Sequence, residues 1–186
     1  RSINSFLRLQ LFKLAIEGIN MLGDVYRRRG ELEKAQQRYE QAIQQMEQLS
    51  HPHAALPLMN LAIISMERKQ YLEARTKAEE AMPKLEAAGL KTSLVAGYLL
   101  CIPDLALAGR WPEAKNRLAA AEELLTDSGY VDADVALLAE HAANAMKQSD
   151  QAVESRRFLR LAMQQWQALG NNDAVERIQQ SMFFKG

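Results

Sequence analysis

Glu140, His141 and Asn144 fall within four residues of one another. A carboxylate beside an imidazole, with an amide one helical turn on, is the raw material of a general base and its helper. Polar residues at helical spacing on an exposed face account for the same pattern without chemistry, and that is the role expected for them. His51 and His53 stand two apart in the stretch Ser50-His51-Pro52-His53. No Cys, Asp or Glu lies nearby at ligand spacing, and a metal site needs three or four converging donors. Cys101 is the lone cysteine. It sits where its helix wants a small apolar residue, so an inert buried thiol is expected. Arg156, Arg157 and Arg160 form a modest basic group, read as a solvated face. No Gly-rich phosphate loop, dinucleotide fingerprint, nucleophile elbow or zinc-protease motif occurs. No catalytic residue, cofactor or metal is therefore expected, and the chain by itself is expected not to be an enzyme.

The charge balance narrows the partners. Lys+Arg and Asp+Glu both number 23, so the net charge is zero. No basic excess points to nucleic acid or to a membrane surface. Apolar runs are too short to span a bilayer. A lone cysteine rules out an internal disulfide and favours a reducing compartment, the cytoplasm. The chain opens on Arg1-Ser2 with no Met and no signal-peptide pattern. It reads as a piece excised from a longer protein, with Arg1-Ser2 fitting a cloning scar.

What must position these residues is a set of helices with an internal period. Gly30-Glu31-Leu32-Glu33-Lys34-Ala35 is a helix break followed by a new helix, with Ala42 two turns further on. The pattern returns as Gln70-Tyr71-Leu72-Glu73-Ala74 with Ala81, and as Gly109-Arg110-Trp111-Pro112-Glu113-Ala114 with Ala121. A degraded copy runs from Asp150 through Ser155 to Ala162. The anchors 35, 74, 114 and 155 are spaced by 39, 40 and 41 residues, and a period of that size marks a helical repeat array. The spacing predicts helices over 1–29, 32–48, from the Pro52 turn to 69, 71–88, 92–108, 112–126, 131–148, 151–169 and 174–182. In the first, Ile3, Phe6, Leu7, Leu11, Leu14, Leu22 and Tyr26 form a broad apolar stripe, with Asn4 or Ser5 as its cap. Pro57 implies a late or irregular start to the third helix. Pro83 predicts a bend in the fourth, and Pro103 falls in the middle of the fifth. Asp132 suits the first turn of the seventh, Asn171-Asn172-Asp173 caps the last, and Phe183-Phe184 are expected to fold back on the last pair.

Small residues recur where helices cross: Gly23, Ala62, Ile102 and Ala143 on the first helices, Ala35, Ala74, Ala114 and Ser155 on the second. Axes approach to about 8 Å only over a methyl or a hydrogen. With Tyr71 and Trp111 opening second helices, this pattern resembles the tetratricopeptide repeat over residues 13–169, in units longer than the common one. The resemblance implies an all-α, right-handed superhelical solenoid of antiparallel helix pairs. Its units would be 13–50, 51–90, 91–130 and 131–170, with a capping helix at 172–182 and the whole of 1–186 forming one domain. Asn60-Leu61-Ala62, Glu73-Ala74-Arg75, Gly109-Arg110-Trp111 and Gln165-Trp166-Gln167-Ala168-Leu169-Gly170 are similar to the C-terminal repeats of large bacterial serine/threonine kinases. That implies a regulatory or docking region of a cytoplasmic, ATP-using signalling protein, with the kinase part elsewhere. Related arrays occur in MalT-like transcription activators, which would make this a ligand-sensing region, and a self-associating scaffold is a further alternative.

In that family the first helices line the concave face. Register places Glu17, Asn20, Asp24 and Arg27 there from the first unit, and Met59, Asn60, Ile63 and Met66 from the second. The third contributes Leu99, Leu100, Pro103 and Leu107, and the fourth Glu140, His141, Asn144 and Lys147. Such a groove, polar at both ends and apolar between, accepts a helix or an extended peptide. The occupant would be a protein or peptide, another part of the same chain, or a second copy. Met59, Ile63, Leu99 and Leu100 fit two roles equally, lining a groove or filling the core.

Overall fold

The computed structural model describes residues 3–48 and 54–183. The turn that holds His51 and His53, and the aromatic tail, lie outside the described residues and side chains. The described chain is all helix, in the order α1 (Ile3–Arg28), α2 (Leu32–Gln48), α3 (Ala55–Glu67), α4 (Tyr71–Ala87), α5 (Lys91–Leu107), α6 (Trp111–Ser128), α7 (Ala133–Gln148), α8 (Ala152–Ala168) and α9 (Asn172–Phe183). It divides into two compact units, Arg1–Gly89 and Leu90–Gly186. In the first, α1 packs on α2, α2 on α3 and α3 on α4. In the second, α5 packs on α6 and on α7, α7 on α8, and α8 on α9.

The predicted period is written into the backbone. Gly30, Lys69, Gly109 and Asp150 close the first helix of each pair, and all four are left-handed, with φ of 75, 60, 72 and 57°. Each stops its helix in the same way. The N–H that follows reaches back over five residues: Glu31 to the Tyr26 carbonyl at 3.0 Å, Gln70 to Ser65 at 2.8 Å, Arg110 to Leu105 at 2.8 Å and Gln151 to Met146 at 2.9 Å. These bonds use up carbonyls that the helix end would otherwise leave without a donor. The second helix then starts within two residues and without a side-chain cap at Gln70, Arg110 or Gln151. A connection that short makes the two helices antiparallel neighbours.

Packing follows the small residues. In the first unit Ala35 and Tyr39 of α2 lie against Leu61 and Ile64 of α3, with Tyr26, Leu32 and Ile43 at the margin. Ile16 of α1 meets Ala42 and Met46 of α2. Each fully buried aliphatic of this kind is worth about 1.5–3 kcal/mol. In the second unit Leu99, Leu100, Ile102, Leu118 and Phe158 are buried completely. Ser155, which stands where the other pairs have alanine, is tolerated because its hydroxyl donates to the Ala143 carbonyl at 2.9 Å.

Several sequence expectations shift. The apolar stripe of α1 does not face the core: Leu7, Leu11, Leu14 and Leu22 are exposed, and Ile16, Gly23 and Arg27 are the buried positions. α1 begins at Ile3, ahead of Asn4 and Ser5. α3 starts at Ala55, so Pro57 falls in its first turn, where the missing N–H has no helical acceptor anyway. α4 and α5 run on past Pro83 and Pro103. Asp132 precedes α7 as its cap, accepting from the N–H groups of Asp134 at 2.7 Å and Val135 at 3.4 Å. Asn171 does the same for α9 through the Ala174 N–H at 3.2 Å.

Candidate functional site

Register brings the polar candidates of the first unit together. Asn20, Asp24 and Arg27 recur at one turn of α1, and Asn60 and Glu67 stand on α3. Asn60 donates to Asn20 Oδ1 at 3.2 Å and to Asp24 Oδ1 at 3.1 Å. Tyr39, entering from α2, donates its hydroxyl to the same Asp24 oxygen at 2.7 Å. Arg27 Nη1 is 3.1 Å from Glu67 Oε1, and Arg27 is buried while Glu67 keeps part of its surface. The result is a polar seam joining three helices. Burial, followed by the hydrogen bond to Asp24 and its negative charge, raises the Tyr39 pKa well above the ordinary phenol value.

Gly23 makes the seam possible. The Tyr39 ring lies so close to it that an added Cβ would stand 2.5 Å from Cε1 and 2.7 Å from Cδ1. The sequence reading marked Gly23 as a close-packing position but did not see what packs there. Tyr39 is expected from spacing on the packed face of the second helix, as it is found, but its hydroxyl bond and the role of Glu67 are not legible there. The buried hydroxyl had one signal, an aromatic one turn after Ala35 in the first pair where the next pair has Ala78.

The apolar candidates take the other of their two roles in this state. Met59, Ile63 and Met66 are 3, 5 and 0% exposed, and Leu99 and Leu100 are 0% exposed. Pro103 is buried as well. A peptide cannot reach these side chains without parting the helices that cover them.

In the second unit Glu140 is a structural tie. Its Oε1 accepts from the Trp166 indole N–H at 2.8 Å and from Arg177 Nη2 at 2.9 Å, and its Oε2 accepts from Arg177 Nη1 at 2.6 Å. One carboxylate thus holds α7, α8 and α9. With both oxygens engaged it is not set up to accept a proton from a substrate. The hydrogen bond to Glu140 raises the Arg177 pKa further. His141 is half-buried beside it and Asn144 is exposed.

A cleft of about 610 Å³ opens between α6, α8 and the connection that follows α6. Its lining includes the apolar Leu125, Val131 and Leu161 together with Tyr130, Arg157 and Arg160. The expected basic face is partly neutralised, because Arg157 Nε donates to Glu122 Oε1 at 2.9 Å and its Nη2 reaches the second oxygen. Gln165 is buried beneath, accepting from the Asp132 N–H at 3.0 Å. Burial, then the charge of Asp132, pushes the Tyr130 pKa up to about 12. Among the described residues no group of His, Cys, Asp and Glu is gathered as a metal site requires, and no helix is long and apolar enough to cross a membrane.

These features identify the helix pair. Residues 14–87 match the tetratricopeptide repeat. The match takes in most of α1 and runs to the end of α4, the first two of the four pairs. The later pairs keep the same left-handed closing residue and short entry, so the described residues form all-α, tetratricopeptide-like helical repeats, with the family match itself confined to residues 14–87. No curated protein matches the chain. Tetratricopeptide repeats serve in protein–protein interaction.

Proposed function

We propose that this chain is a regulatory protein-interaction region acting in the cytoplasm as the sensor or docking end of a bacterial serine/threonine kinase. It is non-catalytic by itself and its partner is a protein or peptide. The observation that carries the interaction role is the tetratricopeptide match over residues 14–87. The occupied carboxylate of Glu140 supports the absence of chemistry. The kinase assignment rests on the likeness of Asn60-Leu61-Ala62 and the Gln165–Gly170 segment to kinase-associated repeats.

The contact set we assign is the part of the first-helix register that keeps surface: Asn20, Asp24 and Asn60 in one unit, and Glu140, His141 and Asn144 in the other. Asn20, Asp24 and Asn60 are fixed by mutual bonds, so a partner meets amide and carboxylate groups already in place, which lowers the ordering cost of binding. Selection of displayed peptides against the intact chain tests this. Enriched peptides should bind, and Asn60→Ala or Asn144→Ala should weaken them about tenfold, near 1.4 kcal/mol, with melting unchanged for the exposed Asn144 and lowered for Asn60, which leaves the seam. Peptides indifferent to both substitutions would place the site elsewhere. The kinase part is tested separately, by reading the gene on either side of this segment for a catalytic loop.

A further inference from the structure

α1 is inverted relative to its neighbours. Between Leu11 and Val25 every exposed residue is apolar or glycine, whereas Lys13, Glu17, Asn20 and Asp24 are partly buried. The exposed residues of α2 are all Glu, Lys or Gln. Leu11, Leu14 and Met21 are 67, 61 and 66% exposed. Terminal repeats present a polar outer face, and an outward apolar stripe of that extent departs from it. The other end obeys the rule: α9 buries Ala174 and Ile178 and shows Asp173, Glu176, Arg177 and Gln180 outward.

The internal period says what the stripe is for. A step of 39 carries Gly30 onto Lys69, the two left-handed closing residues. The same step carries Gly18, Leu22 and Val25 of α1 onto Pro57, Leu61 and Ile64 of α3, all three buried. Leu61 and Ile64 are covered by Ala35 and Tyr39 of α2, the second helix of the preceding pair. The seat that α2 fills on α3 is therefore present on α1 and uncovered. We propose that α1 is an interior helix. Its outward stripe receives the second helix of another pair of this same repeat, encoded before residue 1 and sitting on α1 as α2 sits on α3. A second copy of the chain could not offer its α2 or α8, which α3 and α9 already cover.

The test compares the 1–186 chain with the gene product extended at its N-terminus, each with and without Leu14→Lys plus Val25→Lys. In 1–186 the pair should shift the melting temperature by less than about 2 °C, because both side chains are already in water. In the extended protein the same pair should lower it by about 5 °C or more. Equal shifts in the two proteins, or a reading frame with no helix pair ahead of residue 1, would overturn the assignment. So would a 1–186 dimer in sedimentation that the two lysines dissociate, which would give the stripe to a second copy. The peptide selection described above involves the opposite, polar side of α1, so either idea can fail without the other.

Discussion

At the scale of single residues, the contact between Gly23 and Tyr39 sets how closely α1 and α2 approach. Because a methyl at residue 23 would overlap the ring at 2.5 Å, Gly23→Ala should destabilise the chain by about 2 kcal/mol, in the range for overpacked sites. Urea unfolding measures it, and Gly23→Ala combined with Tyr39→Ala should cost less than the sum of the two. Tyr39 and Tyr130 also fix the alkaline limb of stability. Both pKa values lie above the unfolded value near 10, that of Tyr130 at about 12. The folded state therefore holds protons that the unfolded chain releases. The stability these groups contribute is complete below pH 10 and drains away as the pH rises from 10 through 12 and beyond. Urea midpoints between pH 9 and 12 should fall, and Tyr130→Phe should flatten the decline. The sequence showed a small residue at 23. It could not show the ring above it, because Tyr39 reaches Gly23 across a crossing of two helices that spacing alone does not orient.

At the scale of elements, the closing residues of the four first helices carry the period, and two of them are not glycine. Lys69 and Asp150 hold φ near 60°, where a Cβ costs about 1–2 kcal/mol. Lys69→Gly should raise the unfolding free energy by about 0.5–1 kcal/mol, and Gly109→Ala should lower it by about 1 kcal/mol. Chemical denaturation of both variants beside the parent decides this, and a stabilising Gly109→Ala would contradict the shared turn geometry. Helix positions were legible to within a few residues because Gly30, Gly89, Gly109, Gly129 and Gly170 all stop helices with positive φ. The face of α1 was not legible. Ile16, Gly23 and Arg27 form one stripe of the helical period and Leu7, Leu11, Leu14 and Leu22 another. Because Ile16 and Gly23 are as apolar or small as the leucines opposite, periodicity proves a helix without choosing its buried side. The groove reading met the same ambiguity at Met59, Ile63 and Leu99.

At the scale of the molecule, one carboxylate adds a polar tie to the apolar packing of the last helix. Glu140→Ala would leave the Trp166 indole N–H, part-buried on α8, without its acceptor, a loss of about 1–3 kcal/mol. Hydrogen exchange should quicken in α9 first, and uniform quickening over all helices would argue against the tie. Trp111 and Trp166, the two tryptophans, both lie in Leu90–Gly186. Indole fluorescence therefore watches that unit, while far-ultraviolet dichroism watches every helix. If the chain unfolds as the single domain expected of it, the two transitions coincide. An earlier dichroism transition would show Arg1–Gly89 melting on its own. The lone thiol adds a chemical counter to these optical ones. Cys101 is 0% exposed and its Sγ–H points to the Gly97 carbonyl at 3.2 Å, so no oxidant or alkylating agent meets it while α5 stays packed. Adducts at Cys101 therefore form only through openings of α5, and the rate of thiol alkylation reports how readily that helix comes apart.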